Sequence, residues 1–195
     1  RRRRHVRDHV LRRSPAWLAA IALAPAAALA AGVRPVVVAG YDSGGDRIAT
    51  INYTTGKSDS IKANEGLYAG AGVSVLNDAG NIEFLATLSV KYQDLHADNG
   101  DLWWTRFPLD ALVFYRWPGF RLGGGLSYAI HPRLKGSGAA SDIDATLDNA
   151  LGAVVQGDYL VEGFALGLRA TLLDYKFGGN TIRSSGVGVS FGFTF

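Results

Sequence analysis

The segment 131–148 contains the side chains of this sequence that could carry nucleophilic chemistry. A serine nucleophile needs a base within hydrogen-bond reach, and His131 is the candidate base. The serines and carboxylates near it in the chain are Ser127, Ser137, Ser141, Asp142 and Asp144. However, the residues from Gly136 to Ser141 have the composition of a flexible linker, and serine and aspartate are common in any solvated loop. We therefore predict no catalytic residue and keep His131 as the base of an alternative.

A second histidine raises the question of a metal site. His96 lies between Asp94 and Asp98 in a segment that also contains glycine, but such a group is more often solvent-facing than metal-binding. The glycine run 123–125 does not suit a phosphate, because no helix is expected to follow it. The sequence therefore predicts no metal and no cofactor.

The first 31 residues have the three parts of a secretory signal peptide. Residues 1–16 contain seven arginines and one acid, Asp8. An apolar stretch from Trp17 to Ala31 follows, and 28–30 has the small-x-small form of a cleavage site. About fifteen apolar residues are short for a spanning helix, which needs about twenty. We predict a signal peptide over 1–31 and one domain over 32–195, and an N-terminal membrane anchor is the alternative.

Most of the excess positive charge belongs to that leader. The whole chain has 20 basic and 17 acidic residues. Without the seven arginines and Asp8, 13 basic and 16 acidic residues remain, a net charge of −3. This charge predicts no nucleic-acid partner. The chain has no cysteine, which suits a protein handled unfolded in an oxidising periplasm.

The last nine residues alternate strictly between apolar and small or polar side chains. Val187, Val189, Phe191, Phe193 and Phe195 share one parity, and the residues between them are glycine, serine or threonine. Because side chains of a strand point alternately to opposite faces, one face of this segment is wholly apolar. In a bilayer, lipid would cover that face. The pattern therefore predicts a transmembrane strand.

Seven segments of roughly ten residues alternate in this way, which predicts an all-β, closed antiparallel transmembrane barrel. They are 66–76, 82–93, 104–116, 119–130, 149–160, 164–176 and 184–195. The connections 77–81, 117–119 and 161–163 are short, whereas 94–103, 131–148 and 177–183 are longer. Residues 34–65 supply the first strand, which we expect to be long and interrupted at its glycines. This gives eight strands. Ten is the alternative, but the extra strands would be too short to cross.

The polar parity predicts a charged lumen. Its charged members are Glu83, Lys91, Arg106, Asp110, Arg116, Arg121, Asp158 and Arg169. Eight strands leave an interior just wide enough for side chains, so we expect these charges to form ion pairs that plug it. Pro108 also falls inward in mid-strand, where a proline removes a ladder donor. We expect a bulge near Pro108 that shifts the phase of 103–106.

Aromatic residues lie near both ends of the strand that contains Pro108. Trp103, Trp104 and Phe107 are near one end, and Tyr115 and Trp117 are near the other. Their spacing corresponds to about the thickness of the apolar layer, so we predict that they form the two interfacial girdles. A soluble sandwich with some of these aromatics packed inside is the alternative.

With its leader, alternating segments and aromatic end, the chain resembles the small eight-stranded outer-membrane β-barrels of the OmpA/OmpX kind over the whole of 32–195. The resemblance implies a bacterial outer-membrane protein surrounded by lipid and lipopolysaccharide. It also implies recognition of the strand ending at Phe195 by the barrel-assembly machinery. We expect a monomer without catalytic activity that acts in envelope integrity, adhesion or ligand contact. The alternatives are a lipid A-modifying enzyme using His131 and nearby loop residues, and a narrow channel.

Overall fold

A computed structural model describes residues 32–52, 58–97 and 100–195, so the predicted signal peptide lies outside the described residues. The elements in this part of the chain are nearly all strands. They are β1 (Val33–Gly44), β2 (Arg47–Asn52), β3 (Ser58–Lys62), β4 (Gly66–Leu76), β5 (Ile82–Ala97), β6 (Gly100–Trp117), β7 (Phe120–Gly136), β8 (Asp144–Thr146), β9 (Ala150–Val161), β10 (Phe164–Leu172), β11 (Asp174–Phe177), β12 (Asn180–Arg183) and β13 (Gly186–Thr194). A 3₁₀ turn covers Gly138–Ala140. No helix among the described residues is long and apolar enough to cross a membrane.

Eight of these strands close into an antiparallel barrel. The order around the barrel is β1, β4, β5, β6, β7, β9, β10 and β13, and β13 pairs back onto β1. For example, Val189 of β13 pairs with Tyr41 on one side and with Leu168 on the other. Closure leaves no unpaired edge. The predicted all-β closed barrel of eight strands is therefore confirmed.

The two ends of the barrel differ. At one end, here called the turn end, the connections cover only 77–81, 118–119 and 162–163. At the opposite, loop end, the strands continue into larger structures: the β2–β3 hairpin, β8 with the 3₁₀ turn, and the β11–β12 hairpin. The predicted short turns are confirmed, and the longer links predicted at 131–148 and 177–183 lie at the loop end. The long link predicted at 94–103 was wrong, because β5 continues to Ala97 and β6 begins at Gly100, and the two strands pair there. Strands β2 and β3 pair only with each other, so they add nothing to the barrel wall and the ten-strand alternative is excluded.

The interruption predicted in the first strand lies at two glycines. β1 ends at Gly44 and β2 begins at Arg47. Gly44 and Gly45 have φ values of 119° and 87°, which side chains rarely permit. The chain can therefore leave the barrel wall here and form the β2–β3 hairpin.

The faces of the barrel are the reverse of those of a soluble protein. On β5 the inward side chains Glu83, Thr87, Ser89 and Lys91 are all buried. The outward side chains between them, such as Phe84 and Leu88, are about half exposed (53% and 52%). The same inversion holds on the other barrel strands: Leu122, Leu126, Leu151, Leu166, Leu168, Val187 and Val189 are exposed. The parity predicted for each segment is therefore confirmed.

A bulge occurs opposite Arg106, and it belongs to β7 rather than to the strand of Pro108. Thr105 pairs with Arg133 whereas Phe107 pairs with Ile130, so β7 has one residue more between these two pairs. Pro108 stays in register opposite Ala129, although the ladder between β5 and β6 is interrupted beside it. The bulge expected near Pro108 is therefore present, but on the partner strand, and the expected phase shift of 103–106 was wrong.

The bulge changes which residues of β7 point inward. His131 has a φ of 50°, which is uncommon for a residue with a side chain, and its backbone N–H donates to Oδ1 of Asn149. Before the bulge Arg121 and Ser127 are buried, and after it Pro132 and Leu134 are buried. An extra residue reverses side-chain parity. The bulge thereby directs Leu134 into the apolar cluster at the loop end.

Candidate functional site

The predicted lumen charges all point into the barrel. Seven of the eight are buried, and the eighth, Arg116, keeps a quarter of its side chain exposed. They form two groups at different heights, as β5 and β6 show, since each of these two strands carries charges at two levels. On β6, for instance, Arg116 is followed by apolar Phe114 and Leu112, then by Asp110, and then by Arg106. The two groups are called here the turn-side network and the loop-side network.

The turn-side network is centred on Glu83 and Arg121. Glu83 accepts hydrogen bonds from Ser74, from Arg116 and from Arg121, the last at 2.7 Å. Arg121 also donates to Asp158 at 2.6 Å, and its guanidinium lies 4.4 Å from the centre of the Phe114 ring. Two cations and two carboxylates are thus paired, and three of the four are buried away from water, where an unpaired charge is costly. The arrangement is that of a structural plug.

The loop-side network joins five charges. Lys91 donates to Asp42 and, at 3.0 Å, to Asn64. Arg169 donates to Asp110 at 3.1 Å and lies 3.9 Å from the other carboxylate, that of Asp42. Arg106 donates to the backbone carbonyl of Glu65 at 2.7 Å. The five charges come from four different barrel strands, so this network also holds the barrel closed.

Sequence reasoning missed Asp42 and Asn64 as members of this interior. Asp42 has the same parity as Gly40, and these two residues indicate the inward face of β1. Val36 and Val38 have this parity too, so the face does not show the polar pattern that would identify it from the sequence. Asn64 lies between β3 and β4 and has no strand pattern around it. Its place beside Lys91 depends on the return of the β2–β3 hairpin, which only the folded chain defines.

Apolar layers separate and cover the two networks. Val36, Leu85, Leu112, Phe114 and Val154 form a cluster whose strand positions lie between them. A larger cluster at the loop end includes Ile61, Trp104, Leu134 and Tyr175. The two interior cavities among the described residues measure only about 20 Å³ each. Each has room for about one water molecule.

Trp104 is therefore an interior residue rather than part of an aromatic girdle, which corrects the prediction for it. Its side chain is fully buried, and its indole N–H donates to the carbonyl of Ala63 at 3.1 Å. Tyr175 packs edge-on against its ring, with the ring centres 5.7 Å apart. Trp104 has the same parity as the inward-pointing Arg106, so its interior position could have been predicted from the sequence.

Other aromatic residues do lie on the outer face near the turn end. Tyr115 contacts Trp117, with the ring centres 4.6 Å apart, and Phe120 contacts Tyr159 at 5.0 Å. Phe193 packs between Phe164 and Phe195. Toward the loop end, Tyr41 and Tyr92 are also exposed on the outside. Aromatic side chains thus border the apolar outer face at both ends.

The candidate catalytic residues are not brought together. His131 is exposed at the bulge, and its imidazole has no hydrogen bond or ion pair with a serine or a carboxylate in the described part of the chain. Ser137 lies 3.5 Å from Asp101, and Asp144 pairs with Arg133 through two hydrogen bonds. These bonds from Arg133 lower the pKa of Asp144 and correspondingly raise the pKa of Arg133.

His96 contacts carboxylates on the exposed part of the loop end. Its Nδ1 lies 3.1 Å from Asp94, its Nε2 lies 3.9 Å from Asp101, and about two thirds of its side chain is exposed. Asp98, the other acid considered from the sequence, lies outside the described residues. Within the described ranges no group of three or more histidine and acidic side chains could hold a metal ion.

The pairing of the strands and the inverted faces thus define a closed eight-stranded antiparallel barrel with a polar interior and an apolar outer face. No family model and no curated protein matches this sequence. Among solved structures, the chain is similar to Neisserial surface protein A (NspA), at 13% identity and a TM-score of 0.45 over 85% of this chain and 98% of that one. It is also similar to the N-terminal β-barrel domain of Pseudomonas aeruginosa OprF, at 15% identity and a TM-score of 0.36 over 83% and 97% of the two chains.

Proposed function

We propose that this chain is an integral outer-membrane β-barrel protein of a Gram-negative bacterium, delivered by the signal peptide at 1–31. The inverted distribution of side chains carries this proposal. Leucine, valine and phenylalanine cover the outside of all eight barrel strands, whereas arginine, lysine, glutamate and aspartate are buried within. A monomeric soluble protein rarely exposes an apolar surface of that extent. A bilayer covers such a band and favours a closed barrel, since every backbone group is paired.

The aromatic residues that border the outer face also support the placement of the barrel in a bilayer. From Tyr115 to Thr105 on β6 is about ten residues, or about 25 Å across the bilayer for a strand tilted near 45°. This distance equals the height of the apolar band of outer-membrane barrels. Thr105 pairs with the exposed Tyr92, so aromatics mark both limits. Since outer-membrane barrels have short periplasmic turns and longer extracellular loops, we place the turn end in the periplasm and the loop end outside.

Val189→Arg tests the lipid-facing assignment. Val189 is half exposed near the middle of β13, so an arginine there should destabilise the inserted barrel by about 2–4 kcal/mol. Thr181→Arg is the matched control, since Thr181 is exposed on β12, outside the barrel wall, and it should have little effect. Changes at the inward Ser190 should also matter less. Urea unfolding in lipid vesicles measures these effects, and equal costs for Val189→Arg and Thr181→Arg would contradict the assignment.

We propose no catalytic activity for this barrel and a role of its rigid body or outer loops in envelope integrity, adhesion or ligand contact. The isolation of His131 from the loop serines supports this choice over a lipid A-modifying enzyme. Mass spectrometry of lipid A from cells with and without the protein separates the two. A changed acylation pattern that also requires His131 would overturn the non-catalytic proposal.

We also propose that the lumen does not conduct. The apolar layers and the paired charges between them leave cavities of about one water each, which supports a plug. Recordings in planar bilayers should therefore show no stepped currents. Single-channel steps whose conductance changes in Arg169→Ala would establish the narrow channel instead.

The proposed partners are outer-membrane lipid, lipopolysaccharide and the barrel-assembly machinery, with the barrel itself a monomer. Every barrel strand has an apolar outer surface, which suits contact with lipid around the whole circumference of the barrel. At the end of the terminal strand the rings of Phe193 and Phe195 pack edge to face, and the backbone N–H of Phe195 donates to the carbonyl of Pro35.

Deleting Phe195 should impair assembly in cells much more than refolding in detergent. The deletion removes one ring and one hydrogen bond from the finished barrel, which is a small loss, but it removes the terminal residue of the proposed recognition signal. The amount of folded barrel in outer-membrane fractions is compared with the refolding yield of the purified chain. Removal of the exposed Leu172 side chain (Leu172→Ala) is the control, and equal losses in cells would contradict recognition through Phe195.

A further inference from the structure

The loop-side network surrounds a cavity of about 20 Å³ inside the barrel. Its lining includes all five charges of that network, together with Asn64, Tyr68 and Thr171. Asn64 and Thr171 are 3% and 6% exposed, and Arg106 is 1% exposed. The cavity thus lies within a cluster of buried polar groups, most of which are held by the barrel strands.

Unpaired polar atoms concentrate at this cavity. Ten buried side-chain atoms of the described residues have no hydrogen-bond partner, and seven of them belong to residues that line it. Three of the seven are donor nitrogens (Asn64 Nδ2, Arg106 Nη1 and Arg169 Nε), and two are hydroxyls that can donate or accept (Tyr68 OH and Thr171 Oγ1). The two acceptors are carboxylate oxygens of Asp42 and Asp110. Buried polar atoms without partners are unfavourable, so this cluster favours a bound ligand that accepts hydrogen bonds from its donor nitrogens.

The formal charge around the cavity is also unbalanced, with a positive excess. In formal charge, three basic side chains (Lys91, Arg106 and Arg169) face two carboxylates, an excess of one positive charge. The turn-side network, in contrast, is balanced at two cations and two carboxylates. The Glu65 carboxylate does not correct the excess, because it contacts Lys62 and Tyr41 and does not line the cavity. A buried excess charge is costly unless a counter-ion neutralises it.

We propose that this cavity binds a single halide ion, chloride in the cell, between the guanidinium groups of Arg106 and Arg169. The volume accommodates about one water-sized particle, which excludes sulfate, phosphate and carboxylates. The charge excess and the surplus of donors select an anion over water or a cation. The ion enters as the barrel closes, because the apolar cluster with Trp104 and Tyr175 covers the network on the loop side. It is a structural ion of the folded barrel, distinct from any role of the outer loops.

The test refolds the barrel into detergent in chloride or in gluconate at equal ionic strength and measures urea unfolding. A ligand bound only by the folded state multiplies the folding equilibrium constant by 1 + [L]/Kd, about tenfold at ten times Kd. Stability should therefore rise with chloride concentration and remain flat in gluconate. Identical curves in the two salts would overturn the proposal.

Matched variants test whether the chloride dependence of stability arises at this cavity. Thr171→Val removes one donor from the cavity without changing charge, and Thr87→Val makes the same change at another buried inward threonine that does not line it. The chloride dependence should weaken in Thr171→Val, persist in Thr87→Val, and disappear in Arg106→Gln, which cancels the charge excess. If Arg106→Gln does not fold, the comparison of Thr171→Val with Thr87→Val still tests the site. Equal chloride dependence in both threonine variants would overturn the site.

Diffraction from crystals grown in bromide provides the direct observation. An anomalous peak in the cavity beside Arg106 and Arg169 is expected. Density there without an anomalous signal would identify water and overturn the proposal.

Discussion

Replacing Arg121 with methionine will lower the free energy of unfolding of the barrel by about 3–5 kcal/mol. Arg121 bridges Glu83 and Asp158, and its side chain is only 6% exposed. Methionine fills a similar volume but leaves Asp158 without a cationic partner and leaves Glu83 with Arg116 alone. The loss of one partner of a buried charge network is expensive because the remaining charges cannot return to water. Urea unfolding followed by tryptophan fluorescence measures the loss.

Arg133→Met is the matched control for that change. Arg133 also makes two hydrogen bonds to a carboxylate, that of Asp144, but both side chains are about 40–50% exposed at the loop end. Water replaces the lost partner there, so little change in stability is expected. Comparable losses in Arg121→Met and Arg133→Met would mean that the interior is as well hydrated as the loops, contrary to a plugged lumen.

Replacing Gly167 with alanine will destabilise the barrel by at least about 3 kcal/mol. A methyl group at this inward position would lie 1.8 Å from Oδ1 of Asp158 and 2.5 Å from the carbonyl oxygen of Gly157. Overpacking alone costs about 1–3 kcal/mol. Here the added atom also displaces the carboxylate that pairs with Arg121, so the turn-side network is disrupted as well. The same unfolding experiment measures the cost.

Gly157→Ala provides the comparison on the neighbouring strand. Gly157 lies on the outward parity of β9, and a methyl group there meets the Leu122 side chain at 3.4 Å and nothing closer. The change should stay within about 0.5 kcal/mol of the unmodified barrel. A large loss in Gly157→Ala, or none in Gly167→Ala, would show that the inward and outward faces of these strands are assigned incorrectly.

The sequence alone determined most of the strands, the eight-strand count, the three short turns and the parity of the lumen charges. Each of these is a local property. Alternation with a period of two identifies the two faces of a strand without knowledge of its neighbours, and turn residues such as those of 77–81 act within a few positions. The inward placement of Arg106 and Arg169 could therefore be predicted from single segments.

Only the tertiary structure decided which charges meet. Lys91 bonds Asp42 across 49 residues, and Arg169 bonds Asp110 across 59. These pairings depend on the strand register around the closed barrel and on the return of the β2–β3 hairpin that positions Asn64. The β7 bulge likewise depends on how β6 and β7 align at Arg106, so it could not be placed from the Pro108 strand alone. Register is a non-local property of the sheet, and for that reason the loop-side cavity, with its unpaired donors, is visible only in the folded barrel.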